Sequence, residues 1–126
     1  AQRQQGKPAR AAGSWQLELV PNPDIVAGLA ARKGGRVVAG FALESTAAGL
    51  PAAIARGREK LVRKGLDLVV VNLHDAIGSD DSEVVLCFAD GRDEALPRQD
   101  KSATAARIVA AAVDLWQQQR PKAADA

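Results

Sequence analysis

Short apolar runs recur along the chain, and their periodicity predicts strands that alternate with helices. Residues 15–20 (WQLELV) alternate between apolar and polar positions, as a strand with one buried face does. Residues 37–43 (VVAGFAL) and 66–72 (LDLVVVN) are nearly continuous apolar runs, which is typical of strands covered on both faces. The chain therefore predicts three strands before its last third.

Helix boundaries are predicted from capping residues between these runs. The three helices run from an Asn22 N-cap to Gly34, over residues 51–64 to Gly65, and from a Ser102 N-cap to the polar end of the chain. Between the last two helices, Asp90-Gly91 separates two short apolar segments and predicts a β-hairpin.

The order of these elements is β-α-β-α-β, followed by a hairpin and a helix. Such alternation predicts an α/β three-layer domain with a mostly parallel sheet and a C-terminal β-hairpin plus helix. Residues 1–14 read as a basic arm, residues 15–119 as the domain, and residues 120–126 as a tail.

Composition narrows the class of protein. The chain has 126 residues, of which 47% are hydrophobic and 25% charged, as expected for one globular domain. A single cysteine, Cys87, and a single histidine, His74, exclude an internal disulfide and a cysteine-based or histidine-rich metal site. No run approaches the ~20 apolar residues of a membrane span. We expect a cytoplasmic protein without a membrane partner, and the absence of methionine suggests processing or a cut from a longer chain.

The positive charge is concentrated near the start of the chain. The formal net charge is +2, and the first ten residues hold Arg3, Lys7 and Arg10 without an acidic residue. A nucleic-acid binder would carry a broader basic surface, so we expect no nucleic-acid partner.

A second basic cluster lies inside the predicted second helix. Its members are Arg56, Arg58, Lys60, Arg63 and Lys64. Like charges three or four residues apart on a helix repel each other. Two interpretations remain open from spacing alone: a solvated helix face, or a face whose charge is balanced by a bound anion.

Other candidate chemistry is weaker. Asp80, Asp81 and Glu83 form either a solvated acidic loop or a divalent-cation site, and Cys87 is expected to be inert core. Phe41 and Asn72 lie near the carboxyl ends of predicted strands, where ligands of parallel sheets collect. The start of the first helix offers free backbone N–H groups to an anion.

Five motifs occur in an order that resembles a known family. They are Asn22-Pro23-Asp24-Ile25-Val26, Gly40-Phe41-Ala42-Leu43-Glu44, Lys60-x-x-x-Lys64, Leu66-Asp67-Leu68-Val69-Val70-Val71-Asn72 and Gly78-Ser79-Asp80. Together they resemble the C-terminal half of phosphopantothenate–cysteine ligase, the synthetase domain of the bifunctional coenzyme A biosynthesis protein. The resemblance covers about residues 6–118 and implies a Rossmann-like fold and a homodimer.

The resemblance also implies an activity. Bacterial members of this family activate 4′-phosphopantothenate with CTP and Mg²⁺ to a cytidylyl intermediate, which cysteine converts to an amide with release of CMP. A non-catalytic relative that serves as a structural or dimerisation module is the alternative. The family's N-terminal half is absent from these residues, so we expect it in the parent chain or in a separate subunit.

Site residues follow from the resemblance position by position. The implied nucleotide-binding residues are Lys7, Pro23, Asp24, Ile25, Val26, Phe41, Lys60 and Lys64, with Lys7 also stabilising charge on the α-phosphoryl group. The family's Gly-Lys-x-Lys-Lys motif is reduced here to Gly6-Lys7-Pro8-Ala9-Arg10, and the segment from Phe41 to Lys60 is longer than usual.

Overall fold

The structure, a computed structural model, describes residues 13–74 and 83–120. Within them the element order is helix, strand, helix, three strands and a final helix. The elements are α1 (Ile25–Ala31), β1 (Ala39–Ser45), α2 (Leu50–Lys64), β2 (Leu68–His74), β3 (Glu83–Phe88), β4 (Asp93–Ala95) and α3 (Lys101–Gln119).

The four strands form one mixed sheet in the order β1-β2-β3-β4. β1 and β2 are parallel, whereas β3 is antiparallel to β2 and β4 is antiparallel to β3. The expectation of a mostly parallel sheet is therefore wrong for the described residues. A parallel partner needs a crossover of roughly a dozen residues or more, and only residues 75–82 connect β2 to β3.

Helices cover both faces of the sheet, which confirms the three-layer α/β architecture. On one face, Leu61 of α2 and Ala30 of α1 pack against Val69 and Val71 of β2. On the other, Ala111 of α3 packs with a second buried cluster that includes Leu68, Val70 and Leu86. β2 is buried on both faces over Leu68–Val71, as its continuous apolar run predicts.

β1 divides its side chains unequally between the two faces. Gly40, Ala42 and Glu44 are buried, whereas Phe41 and Leu43 between them are exposed. Alternate residues of a strand point to opposite faces. The small side chains thus lie under α2, and the large apolar ones lie on the face that carries α3.

Two helices have a different N-cap residue from the one that the sequence predicts. Asp24, not Asn22, is the N-cap of α1, because its carboxylate accepts a hydrogen bond from the Ala27 N–H at 3.0 Å. Asp100, not Ser102, caps α3 through the Ala103 N–H at 2.8 Å. Asp is as good an N-cap as Asn or Ser, so composition alone does not choose between neighbours.

The predicted end of α2 and the predicted hairpin turn are confirmed. Helix α2 ends at Gly65, whose left-handed backbone (φ 70°, ψ 36°) favours glycine. The hairpin turn lies at Asp90-Gly91, where Gly91 has φ 98°. β1 and β2 each begin two residues later than their apolar runs predict.

The predicted strand at residues 15–20 is wrong. The segment has no regular secondary structure in the described chain, and Trp15, Leu17 and Leu19 are exposed. A strand exists only when a neighbour accepts its backbone hydrogen bonds, and alternation cannot supply that neighbour.

None of the helices within residues 13–74 and 83–120 combines the length and the hydrophobicity that a membrane span requires.

Candidate functional site

The start of α1 and the end of α2 meet through an ion pair. Lys64 Nζ lies 3.2 Å from Oδ2 of Asp24, whose other oxygen caps α1. The hydrogen bond from the Ala27 N–H, and then Lys64, lower the pKa of the Asp24 carboxyl below its ordinary value. The fold therefore places Lys64 directly beside the Pro23–Val26 turn.

Glu44 holds the next two cations of α2. Its carboxylate lies 2.6 Å from Lys60 Nζ and 2.8 Å from Arg56 Nε, although its side chain is almost completely buried. Hydrogen bonds from Lys60 and then Arg56 lower the pKa of Glu44. Arg56 also donates to the Ser45 carbonyl at 2.6 Å, which ties α2 to the carboxyl end of β1.

These contacts revise both interpretations of the basic cluster on α2. Lys60 and Arg56 share Glu44, Lys64 contacts Asp24, and Arg58 contacts Asp93 at the hairpin. Three carboxylates of the chain thus contact four of the five cations and offset part of the cluster's charge without a bound anion. An ammonium group has three donors, so Lys60 and Lys64 can still bind a further anion.

A second buried carboxylate, Asp67, is structural. It accepts from the Val38 N–H at 2.8 Å, from Lys33 Nζ at 3.1 Å and from Gln119 Nε2 at 3.0 Å. These bonds join the amino end of β2 to the chain before β1 and to the end of α3. Asp67 lies at the opposite end of β2 from the predicted ligand edge, so we assign it no binding role.

Phe41 lies across the sheet from the lysines. It lines a recess of about 140 Å³ together with Asn72, two residues before the end of β2, and Lys101 and Thr104 in the first turn of α3. Phe41 as a whole residue is 73% exposed. The fold thus brings Pro23, Asp24, Ile25 and Val26 to the same side as Lys60 and Lys64, and leaves Phe41 on the other side.

Sequence reasoning missed the role of Glu44. The available signal was an acidic residue directly after the apolar run of residues 37–43 and before a basic helix. The run predicts a buried carboxylate, and a buried carboxylate needs cationic or hydrogen-bonding partners. Which cations reach it depends on how α2 packs over β1.

The other candidates are Cys87, the acidic loop and Lys7. Cys87 is buried in the core as predicted, and burial raises the pKa of its thiol to about 12. Glu83 lies in β3 and contacts Arg98 at 3.7 Å. Lys7, Gly78-Ser79-Asp80 and Asp81 fall outside the described residues. Within residues 13–74 and 83–120, no group of three His, Cys, Asp or Glu side chains could hold a metal ion.

Comparison with known proteins identifies a match along most of the chain. Residues 1–115 match the DNA/pantothenate metabolism flavoprotein C-terminal domain. The chain is 39% identical over 94 residues to the coenzyme A biosynthesis bifunctional protein CoaBC of Thermococcus kodakarensis, covering 73% of this chain and 22% of that protein. It is 38% identical over 113 residues to CoaBC of Mycobacterium tuberculosis H37Rv, covering 80% of this chain and 26% of that protein.

Solved structures share the fold. The C-terminal domain of CoaBC superposes with a TM-score of 0.65 at 24% identity, covering 82% of this chain and 46% of that one. A DNA/pantothenate metabolism flavoprotein from Streptococcus pneumoniae superposes with a TM-score of 0.66 at 17% identity. The match covers 79% of this chain and 42% of that one. The chain spans about a quarter of the curated relatives and less than half of the solved chains.

Proposed function

Because the chain belongs to the family of the DNA/pantothenate metabolism flavoprotein C-terminal domain, we propose that it is the nucleotide-binding portion of a phosphopantothenate–cysteine ligase in coenzyme A biosynthesis. In this reaction the carboxylate of 4′-phosphopantothenate attacks the α-phosphorus of CTP, and pyrophosphate leaves. The amine of cysteine then attacks the activated acyl carbon, the new amide bond forms, and CMP leaves.

One observation carries the proposal: the start of α1 and Lys64 meet at Asp24. Lys60 lies one turn before Lys64 on the same helix and contacts Glu44. Two ammonium groups therefore lie on the side of the sheet that holds the Pro23–Val26 turn. Ammonium groups form strong, charge-assisted hydrogen bonds with phosphate oxygens, so this side suits a triphosphate.

Phe41 supplies the surface for the base in this proposal. β1 is an edge strand of the described sheet. The lysines lie on one face of β1 and Phe41 lies on the other, so only this one strand separates them. A nucleotide would pass that edge near the carboxyl ends of β1 and β2, where parallel strands bind ligands. The exposed ring of Phe41 and the neighbouring Asn72 then face a pyrimidine.

The remaining roles rest on the resemblance. Lys7 would bind phosphate and stabilise charge on the α-phosphoryl group. Mg²⁺ would arrive on the nucleotide and neutralise phosphate charge, and we assign it no protein ligand among the described residues. The proposal also includes the missing half, supplied by the parent protein or by a separate subunit, and a cytoplasmic homodimer.

A non-catalytic relative, kept as a structural or dimerisation module, is the second candidate. The observation that favours it is the pairing of Lys60 with Glu44 and of Lys64 with Asp24. These carboxylate contacts account for both lysines without a bound nucleotide. This candidate expects a stable fold and no response to CTP.

Calorimetric titration with CTP and Mg²⁺ separates the two. We expect saturable binding that Lys60→Ala and Lys64→Ala each weaken about tenfold, since a hydrogen bond to a charged group contributes about 1.5–3 kcal/mol. Arg92→Ala is the matched control, because it removes one positive charge at the distant hairpin, where Arg92 pairs with Asp90. Equal weakening by all three variants would indicate a general charge effect rather than a site.

Catalysis is tested by adding the missing half of the domain in trans with 4′-phosphopantothenate and cysteine. CMP release that depends on both substrates supports the ligase. Binding of CTP without any CMP release would reduce the proposal to nucleotide binding, and no binding and no release would favour the non-catalytic module.

A further inference from the structure

Glu44 is an acidic residue on the strand face that packs under α2. It lies one residue before the end of β1 and is only 6% exposed. The other buried carboxylate among the described residues, Asp67, accepts a backbone N–H and has a structural role. By contrast, both hydrogen bonds that the structure shows for Glu44 come from cationic side chains of α2. Replacing a buried ion pair with apolar residues is often neutral or stabilising, so stability alone does not account for Glu44.

The contacts of Glu44 hold the Lys60 ammonium in one place. Oε1 of Glu44 accepts a hydrogen bond from Lys60 Nζ at 2.6 Å, and Oε2 accepts one from Arg56 Nε at 2.8 Å. Arg56 is fixed in turn, because its Nη2 donates to the Ser45 carbonyl at 2.6 Å. Each oxygen of the carboxylate therefore has its own partner, and the carboxylate cannot turn away from Lys60 without breaking the bond to Arg56.

Lys60 keeps donors for a ligand in this arrangement. An ammonium group has three N–H donors, and the bond to Glu44 uses one of them. The Lys60 side chain is 37% exposed, so the remaining donors can reach a molecule from solvent. The hydrogen bonds from Lys60 and then Arg56 lower the pKa of Glu44, so the carboxylate is ionised at neutral pH and keeps its hold on Lys60.

Lys64 is held much less firmly. Its partner, Asp24, has a side chain that is 45% exposed, whereas the side chain of Glu44 is 7% exposed. The two charged atoms are 3.2 Å apart, and the other oxygen of Asp24 already caps α1. Ion pairs between exposed side chains contribute little, so water and salt loosen this pair easily. The two lysines of the site therefore differ: Lys60 has a buried anchor and Lys64 has a surface one.

We propose that Glu44 is a positioning residue for nucleotide binding, which holds Lys60 where its ammonium binds a phosphate oxygen, while Lys64 adjusts to the ligand. This inference rests on the proposed function, because it takes Lys60 to contact the triphosphate. A side chain that is already ordered loses less entropy on binding. The expected sign is opposite to that of simple charge repulsion: a carboxylate near phosphates repels them, so without a positioning role its removal would strengthen binding.

Calorimetric titration of Glu44→Gln with CTP and Mg²⁺ tests the sign. We expect Kd to rise about fivefold, which corresponds to the cost of ordering one flexible side chain, and the stoichiometry to stay unchanged. Loss of folded protein would instead lower the stoichiometry. Glu59→Gln is the matched control, because it makes the same change at an exposed position next to Lys60 on α2, and it should not weaken binding.

A double-mutant cycle with Lys60→Ala shows whether Glu44 acts through Lys60. In the Lys60→Ala background, Glu44→Gln has no ammonium group to release, so it should cause no further loss of CTP affinity. A purely structural role would weaken binding equally in both backgrounds. Circular dichroism checks that each variant folds. If Glu44→Gln does not fold, Glu44→Asp replaces it in the cycle, because it keeps the charge but withdraws the carboxylate from Lys60 by one carbon.

Three results would overturn the positioning role while CTP still binds the unsubstituted chain. Unchanged or tighter binding by Glu44→Gln would show that Glu44 does not prepare Lys60 for phosphate. An equal loss in the Lys60→Ala background would show that Glu44 acts through the fold. The third is equal weakening by Glu59→Gln. Absence of CTP binding by the unsubstituted chain is a different outcome, because it overturns the proposed nucleotide site and the role of Glu44 with it.

Discussion

Helices cover the two faces of the sheet to different extents. On the α1–α2 face two helices pack against the strands, and Arg56, Lys60 and Lys64 of α2 contact carboxylates of the chain itself. On the α3 face a single helix covers β2 and β3, and the apolar side chains of β1 remain exposed. Both faces are built on the same strands, so the difference comes from what packs against them.

The side chains of β1 differ in size between the two faces. Its α2 face carries glycine, alanine and a paired glutamate, because α2 packs closely there. Its α3 face carries phenylalanine and leucine. Phe41 and Leu43 stay largely exposed beside α3 and indicate a surface for a partner, because a contiguous exposed apolar patch is unusual on a lone domain.

The largest expected difference compares two leucines that point to the α3 face. Leu68→Ala, under α3, should lower the free energy of unfolding by about 3 kcal/mol through lost burial and a cavity. Leu43→Ala, at an exposed site, should lower it by less than about 0.5 kcal/mol. Urea denaturation of both variants measures the pair. Similar costs would mean that β1 is covered in solution.

Close packing on the α2 face predicts the next effect. A Cβ at Gly57 of α2 would overlap Cγ2 of the buried Val71, so Gly57→Ala should destabilise by about 2 kcal/mol. Gly28→Ala on α1 is the control, since nothing lies within 4 Å of the added methyl group. There we expect a gain of about 0.5–1 kcal/mol from helix propensity. A stable Gly57→Ala protein would contradict the close approach.

The charge pairs of the α2 face give a smaller effect that depends on pH. Glu44→Gln should cost about 1–2 kcal/mol at pH 7, because Lys60 and Arg56 lose their ionised partner. The pKa of Glu44 is below its ordinary value of 4.5 in the folded protein, so its contribution is complete above 4.5. It is lost as the pH falls through the folded pKa.

The measurement is the free energy of unfolding of wild type and Glu44→Gln across that range. The gap between the two should narrow at acidic pH, and Glu59→Gln, on the same helix, provides the control. A constant gap would show that Glu44 acts through packing and not through its charge.

The smallest effect concerns the helix that partly covers the open face. Asp100→Ala should destabilise by about 1 kcal/mol, because it removes the carboxylate that caps α3. Ser102→Ala, at the position that sequence reasoning preferred, should change stability by less than about 0.5 kcal/mol. Thermal unfolding of the two variants decides between them, and the reverse order would restore Ser102 as the cap.

The sequence alone determined the elements that depend on a few neighbouring residues. Helix α2 ends at the predicted Gly65, the hairpin turns at Asp90-Gly91, and the apolar run of β2 is buried on both faces. The ordered motifs also identified the family. For the helix end, the turn and the strand, the residues that carry the physical cause are neighbours in the chain.

Tertiary structure decided everything that needs a distant partner. The alternation of residues 15–20 is real, but no strand forms because no described neighbour accepts its hydrogen bonds. The spacing of Lys60 and Lys64 showed a charged face, whereas Glu44 and Asp24 were brought to it only by the packing of α2 and α1. Phe41 lies across β1 from those lysines because strand side chains alternate, and only the packed helices determine which face is covered.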